Sequence, residues 1–347
     1  MRAVVMRAGA MAIEDVPEPT PGPGQILVAP YATGICGSDL HFREESLAAA
    51  AATPDEPQPP VIPGHEIAGE VIALGPDVPA GSAAPVKPGD LVTAIPFTMG
   101  AEGPETIGLS PTHGGGLAEL MAVDAVRTMV LPEGLDLRLA ALAEPVAVAA
   151  HAAAMAAPDG PIVVVGAGPI GLGIIAVNAS AGRGPIIAVD PSPSRRDKAL
   201  AVGATSVHEP GTPLIELMMA HGYTPSTISP LLLDKDPNPS TVFECVGRAP
   251  VVQAIVAEAP PHSQVVLAGA CPHTIQVEPL QLTVTEVKLA ASFAYRHHDF
   301  ATALRLLSQE PERFGRLITG ERPLEEAEAA FDDLAGQPDE VKILIRP

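Results

Sequence analysis

The hexapeptide Gly166-Ala167-Gly168-Pro169-Ile170-Gly171 constrains the fold of this chain more than any other stretch. It follows the apolar run Ile162-Val163-Val164-Val165 and opens a second apolar run, so it marks a strand-to-helix turn. Each glycine has its own use there. Gly166 permits the tight turn, Gly168 lets backbone approach a pyrophosphate, and Gly171 allows close helix–strand packing. The helix that starts at Pro169 and Ile170 turns its N-terminus toward the phosphates. Asp190 lies 19 residues beyond Gly171, at the end of the next apolar run, where a carboxylate accepts from ribose hydroxyls. That carboxylate would repel a 2′-phosphate, which favours NAD over NADP. Arg195 and Arg196 cut the other way, because a nearby guanidinium could pair with the phosphate. The alternative makes them first-turn helix residues that face solvent beside Asp197.

Around this motif the texture of the chain changes. Residues 1 to about 145 read as short strands (25–29, 67–73, 90–95) punctuated by Gly and Pro, as in a partly closed β-barrel. An alanine-rich helical pattern covers about 140–157 and ends at the turn Pro158-Asp159-Gly160. Beyond it, apolar strands at 162–165, 186–189, 241–243 and 264–267 alternate with helical segments, the pattern of a doubly wound α/β domain with a parallel sheet buried on both faces. Helices are expected at 299–307 and 324–334, with a closing strand at 341–345. Residues 48–60 and 224–240 read as surface insertions or irregular loops. The domains expected are 1–145 plus 293–347, a discontinuous first unit, and 146–292, the nucleotide-binding unit.

Composition narrows the function classes. With 20 Lys plus Arg against 41 Asp plus Glu, the formal charge is −21, which disfavours nucleic acid and anionic membranes as partners. Three cysteines (Cys36, Cys245, Cys271) are too few and too odd in number for a disulfide framework and suit a reducing compartment. The segment Met1-Arg2-Ala3-Val4-Val5 reads as a strand rather than a signal peptide, and the apolar run at 161–177 is broken by glycines and a proline, so a cytoplasmic protein is expected.

Two further segments carry chemistry. Gly34-Ile35-Cys36-Gly37-Ser38-Asp39-Leu40-His41 and Gly64-His65-Glu66 offer a thiolate, an imidazole and a carboxylate, a ligand set for zinc. Singly, Cys36 or His65 would more often be an ordinary buried residue. Together with Lys87-Pro88-Gly89-Asp90-Leu91-Val92, Gly115-Gly116-Leu117-Ala118-Glu119, Ala143-Glu144-Pro145 with His151-Ala152, Phe243-Glu244-Cys245-Val246-Gly247 and Ser292-Phe293-Ala294-Tyr295, the chain resembles the zinc-dependent medium-chain dehydrogenase/reductase family, in its sorbitol, butanediol and threonine dehydrogenase branch.

That resemblance implies a Rossmann-type domain beside a GroES-like catalytic domain. It implies one catalytic zinc (Zn2+) per chain on Cys36 and His65, with Glu66 completing the set and Glu144 beside the metal or alternating with water. The alternative has Glu66 supporting a ligand without touching the metal, or lying at the surface. Cys245 and Cys271 are expected on strands of the nucleotide unit, so neither is available as a second thiolate and a carboxylate must substitute. Ser38 would relay the substrate proton and His41 would pass it to solvent, against bland readings as a turn-capping serine and a surface histidine. Val246, Gly269 and Phe293 would join the fingerprint in holding the nucleotide. The implied reaction moves a hydride between NAD(H) and a secondary alcohol/ketone pair: a vicinal diol, polyol or amino alcohol. A homodimer or homotetramer is implied, with 286–292 as the candidate edge strand.

One departure stands out. Relatives with a structural zinc carry four closely spaced cysteines after the metal-site histidine, and residues 97–116 hold none. That lobe is expected to be metal-free, held by prolines, glycine turns or a subunit contact. Competing readings are a zinc-free NADPH-dependent enone or quinone reductase, for which the set Cys36, His65, Glu66 and Glu144 has no use, and a non-catalytic nucleotide-binding protein.

Overall fold

A computed structural model of the chain describes residues 1–78, 86–101, 103–224, 239–336 and 339–347. It divides into two compact units, Met1–Glu144 with Leu307–Gln309 and Ile318–Pro347, and Pro145–Leu306 with Glu310–Leu317.

The first unit opens with a hairpin of β1 (Arg2–Arg7) and β2 (Ala10–Asp15). Its main sheet uses β3 (Gln25–Gly34), β4 (Glu66–Leu74), β5 (Leu91–Ala94), β8 (Met121–Asp124), β9 (Thr128–Val130), β16 (Gly320–Pro323) and β17 (Ile343–Arg346), while β6 (Phe97–Gly100) and β7 (Gly103–Thr106) form a separate hairpin. The order is β16-β17-β3-β4-β5-β9, with β8 also on β3. Alternating residues of these strands (Ile26, Val28, Ile67, Val71, Val92, Met121, Val123) are buried on one face. Each contributes about 1.5–3 kcal/mol by leaving water. β3 runs antiparallel to β4 with irregularities at Leu27/Val28 and Pro30/Ala32, and the pairing ends on Gly34 opposite Glu66. Such bulges re-aim the strand end. The helix α1 (Gly37–Ala52) begins directly after it. Residues 48–52, expected in an irregular insertion, instead finish this helix, because successive alanines prolong a helix once it has started.

The second unit holds β10 (Ile162–Val165), β11 (Ile186–Val189), β12 (Ser206–His208), β13 (Thr241–Glu244), β14 (Gln264–Leu267) and β15 (Lys288–Ala291), all parallel, in the order β12-β11-β10-β13-β14-β15. This is the doubly wound order, which switches direction between β10 and β13. Val163, Val164, Ile187, Val242 and Val265 are fully buried, which explains why these strands read as unbroken apolar runs. The helix Pro169–Ser180 follows β10 and the helix Pro193–Val202 follows β11. β15, one of the two edge strands with β12, lies inside the stretch 286–292 expected for an edge.

The chain leaves the second unit around Leu306–Ile318, where the sequence reading placed the return at Phe293. The reason is a long-range contact. Asp299, in the helix His297–Gln309, lies 2.9 Å from His151 Nδ1 through its buried carboxylate and thereby joins that helix to the second unit. Cys245 follows β13 rather than lying on it, and Cys271 sits in irregular chain after β14. Most of 224–240 lies outside the described residues. Among the described residues, no helix is long and apolar enough to cross a membrane.

Candidate metal centre and nucleotide site

The β3–β4 register is what brings the two metal-site segments together. With Gly34 opposite Glu66, Cys36 emerges two residues past the end of one strand, beside His65 at the start of the next. Gly34 must lack a side chain, since a Cβ there would stand 2.1 Å from Glu66 Oε2. Cys36 is the N-terminal flanking residue of α1, and its backbone N–H donates to Asp39 Oδ2 at 2.8 Å. The positive end of the helix therefore faces the sulfur.

Donor atoms of Cys36, His65 and Glu66 all lie within 4.8 Å of one another, the one such group among the described residues. A soft thiolate, an imidazole and a carboxylate leave one position of a tetrahedral ion open, which is the donor set of a catalytic zinc. The residues fit the metal. Asp39, 1% exposed, also sets Oδ1 3.3 Å from His65 Nδ1. That carboxylate faces Nδ1, which leaves Nε2, beside Ser38, as the nitrogen open to a metal. Burial disfavours the imidazolium, but Asp39 and then Cys36 favour it more, so His65 is held well above the usual imidazole range. A cation binding there displaces that proton. Ser38 Oγ lies 3.3 Å from His65 Nε2. His41, one turn along α1, is exposed and 3.7 Å from Glu44.

Lys342 lies beneath Glu66. Its Nζ donates to both carboxylate oxygens at 2.7 Å and to the Ile35 carbonyl at 2.8 Å, with Lys342 2% and Glu66 0% exposed. Burial would discharge the ammonium, yet Glu66, then Cys36, and also Glu144 keep its pKa raised. Glu144 is buried at the start of the helix Ala143–Ala153, outside the three-residue ligand group. Sequence reasoning assigned no role to Lys342 or to Asp39. The signals were present: a lone lysine in the apolar run 341–345, and an acid three residues after Cys36 in the spacing of a capping box.

The cysteine-free lobe is organised by a carboxylate. Glu105, on β7, accepts from the Ser110 hydroxyl, from Thr112 Oγ1 at 2.5 Å and lies 3.0 Å from His113 Nδ1. Ser110, then Thr112 and His113, hold its carboxyl down at about 2. Prolines, glycine turns and a subunit contact were the supports considered from sequence, and this network is a different one.

In the second unit Gly166 has φ +96°, and a Cβ on Gly171 would lie 1.8 Å from the Gly166 carbonyl oxygen. A Cβ on Gly168 would meet nothing within 4 Å, so the loop is open where a pyrophosphate would approach. Pro169 and Ile170 form the first turn of the following helix. The residues fit a dinucleotide. Asp190 is 3% exposed; Oδ2 accepts from Ala167 N and Oδ1 from Ser192 N, both at 2.8 Å. Arg195 donates its backbone N–H to Ser192 Oγ at 3.3 Å. Arg196, considered as a solvent-facing residue, instead folds back on the carbonyls of Asp190 and Pro191. Val246 and Gly247 donate their N–H groups to Glu244 Oε1, and a Cβ on Gly269 would reach 2.4 Å from Gly247 N, so these residues close one turn after β13. Phe293 stands apart, 88% exposed.

With this geometry in view, known proteins match along the whole chain. The alcohol dehydrogenase GroES-like domain matches residues 22–133, and the zinc-binding dehydrogenase domain matches residues 169–309. (R,R)-butanediol dehydrogenase of Bacillus subtilis is 30% identical over 96% of this chain and 96% of its own. The chain belongs to the zinc-type medium-chain alcohol dehydrogenases. Sorbitol dehydrogenase of Gallus gallus is 28% identical over 100% of this chain and 96% of its own. The crystal structure of the 2R,3R-butanediol dehydrogenase from Bacillus subtilis superposes with a TM-score of 0.81 at 27% identity, covering 100% of this chain and 99% of that one. The family member described here is thus a zinc-binding oxidoreductase of small-molecule alcohols that uses a nicotinamide cofactor.

Proposed function

We propose that this chain is an NAD-dependent dehydrogenase of secondary alcohols, with vicinal diols or polyols as its substrates and one catalytic zinc. The convergence of Cys36, His65 and Glu66 carries the reading. The diol and polyol named in the relatives at 30% and 28% identity support the substrate class. The first unit serves as the catalytic domain and the second as the nucleotide domain.

Zinc would supply Lewis-acid polarisation of the substrate hydroxyl, making its proton easier to lose near neutral pH. Cys36, His65 and Glu66 would bind the ion, with Glu144 as an alternate ligand. Asp39 orients His65, and Lys342 orients Glu66. The Ser38 hydroxyl would take the substrate proton as it gives up its own, and exposed His41 would release a proton to water. Gly166, Gly168 and Gly171 admit the pyrophosphate, and Asp190 accepts from the ribose hydroxyls, which favours NAD over NADP. Arg195, Val246, Gly269 and Phe293 make further nucleotide contacts. When bound, the nicotinamide would supply the hydride acceptor that turns the secondary alcohol into a ketone.

The enzyme is a homodimer or homotetramer. Support comes from the outer edge of β15, which pairs with no further strand among the described residues and carries Leu289 at 41% exposure. It works in the cytoplasm, in keeping with three unpaired cysteines. Metal analysis of the purified protein should return one zinc per chain, and Cys36→Ser should lose the metal and turnover while still binding NADH. Turnover retained by Cys36→Ser refutes the site.

A further inference from the structure

The turn after β11 holds a cation at the place where NADP would need one, and that cation is already bound on three sides. Arg196 Nη1 donates to the Asp190 carbonyl at 2.8 Å and to the Pro191 carbonyl at 3.0 Å. Its Nη2 donates to Glu209 Oε1 at 2.9 Å. The side chain is 14% exposed, pressed onto the same turn whose Asp190 carboxylate takes Ala167 N and Ser192 N. Glu209 comes from the neighbouring strand, one residue past β12, and is 73% exposed.

A 2′-phosphate brings about two negative charges and needs a guanidinium with unused donors. Of the four Nη hydrogens of Arg196, three are engaged, by two carbonyls and a carboxylate, and Glu209 takes one of the two that face away from the turn. Glu209 therefore acts twice: it neutralises the one guanidinium anchored on the Asp190 turn, and it adds a second negative charge next to Asp190. Repulsion from Asp190 alone would leave that guanidinium available.

We propose that Glu209 is a specificity-determining positioning residue, pinning Arg196 against residues 190–191 so that the ribose site excludes a 2′-phosphate. The proposal rests on the NAD reading above and locates half of the selectivity outside the glycine fingerprint.

The test measures dissociation constants for NADH and NADPH, by nucleotide fluorescence, on the full chain and its variants. Asp190→Gly should raise the relative affinity for NADPH, and Asp190→Gly with Glu209→Gln should raise it about tenfold further by freeing a phosphate-binding guanidinium. Adding Arg196→Met to that pair should return the ratio to that of Asp190→Gly alone. A double variant no better than Asp190→Gly overturns the proposal. So does a triple variant that keeps the gain, because Arg195 would then be the phosphate partner. Glu209→Gln alone covers the case in which Asp190→Gly fails to fold, since loss of an exposed ion pair leaves the fold intact. It should raise the NADPH:NADH affinity ratio about threefold, and no rise again overturns the proposal. Failure of the underlying reading looks different: the unsubstituted chain would itself bind NADPH at least as tightly as NADH.

Discussion

Replacing Lys342 with Met is the most demanding test of how the metal centre is built. The substitution keeps volume and removes one ammonium that donates to both Glu66 oxygens at 2.7 Å and to the Ile35 carbonyl at 2.8 Å. Both partners are almost fully buried, so the Glu66 carboxylate would be left without its counter-charge. Breaking one side of a buried pair costs about 3–5 kcal/mol, well above the value of the pair itself against an apolar replacement. In a unit of this size that loss lowers Tm by roughly 6–20 °C. The assay is calorimetry on the full chain, in a chelator and again with zinc. The deficit should be large in chelator and smaller with zinc, because the metal gives Glu66 another cation. A deficit below about 1 kcal/mol in chelator would refute the reasoning, as would one that zinc leaves unchanged.

Other outcomes follow from the same geometry. Asp39→Asn should weaken zinc binding by about 10–100-fold in a chelator competition, because the imidazole loses the carboxylate that orients it. Ser38→Ala should lower kcat about 10²–10⁴-fold with the zinc content unchanged, as expected for a lost proton relay. Glu105 contributes to the lobe above its unfolded carboxyl pKa of about 4.3, and the contribution fades as pH falls toward its folded value of about 2. Pepsin cleavage around the β6–β7 hairpin should therefore rise as the pH drops from about 4 to 2, and Glu105→Gln should be cut readily at pH 4 already.

Much of the second unit was legible from sequence because its physics is local. Strands 162–165, 186–189 and 264–267 are buried on both faces, so an apolar run bounded by turns marks both ends. The glycine spacing needed only neighbouring residues for its interpretation. Helix α1 was missed over 48–52, since its start lies under an unusual capping residue, Cys36, inside what reads as a metal loop. The placement of 297–306 was missed for a different reason. It depends on His151 meeting Asp299, a contact across 148 residues that no local pattern encodes. Lys342 belongs with these: its partner is 276 residues away, and only sheet pairing of β17 with β3 brings the two together. The lobe's lack of cysteine was plain, whereas Glu105 as its hub required the hairpin to turn the carboxylate back on 110–113.

The ligand set is held by the β3–β4 pairing and not by the chain between its halves. Residues 53–57, after α1, are exposed throughout. Lengthening such a connection costs little, since closure entropy grows only with the logarithm of loop length. This segment is therefore a natural seam: a reporter domain could be spliced in at 53–57, or the polypeptide cut there into two pieces, and the strands would still reassemble the metal centre.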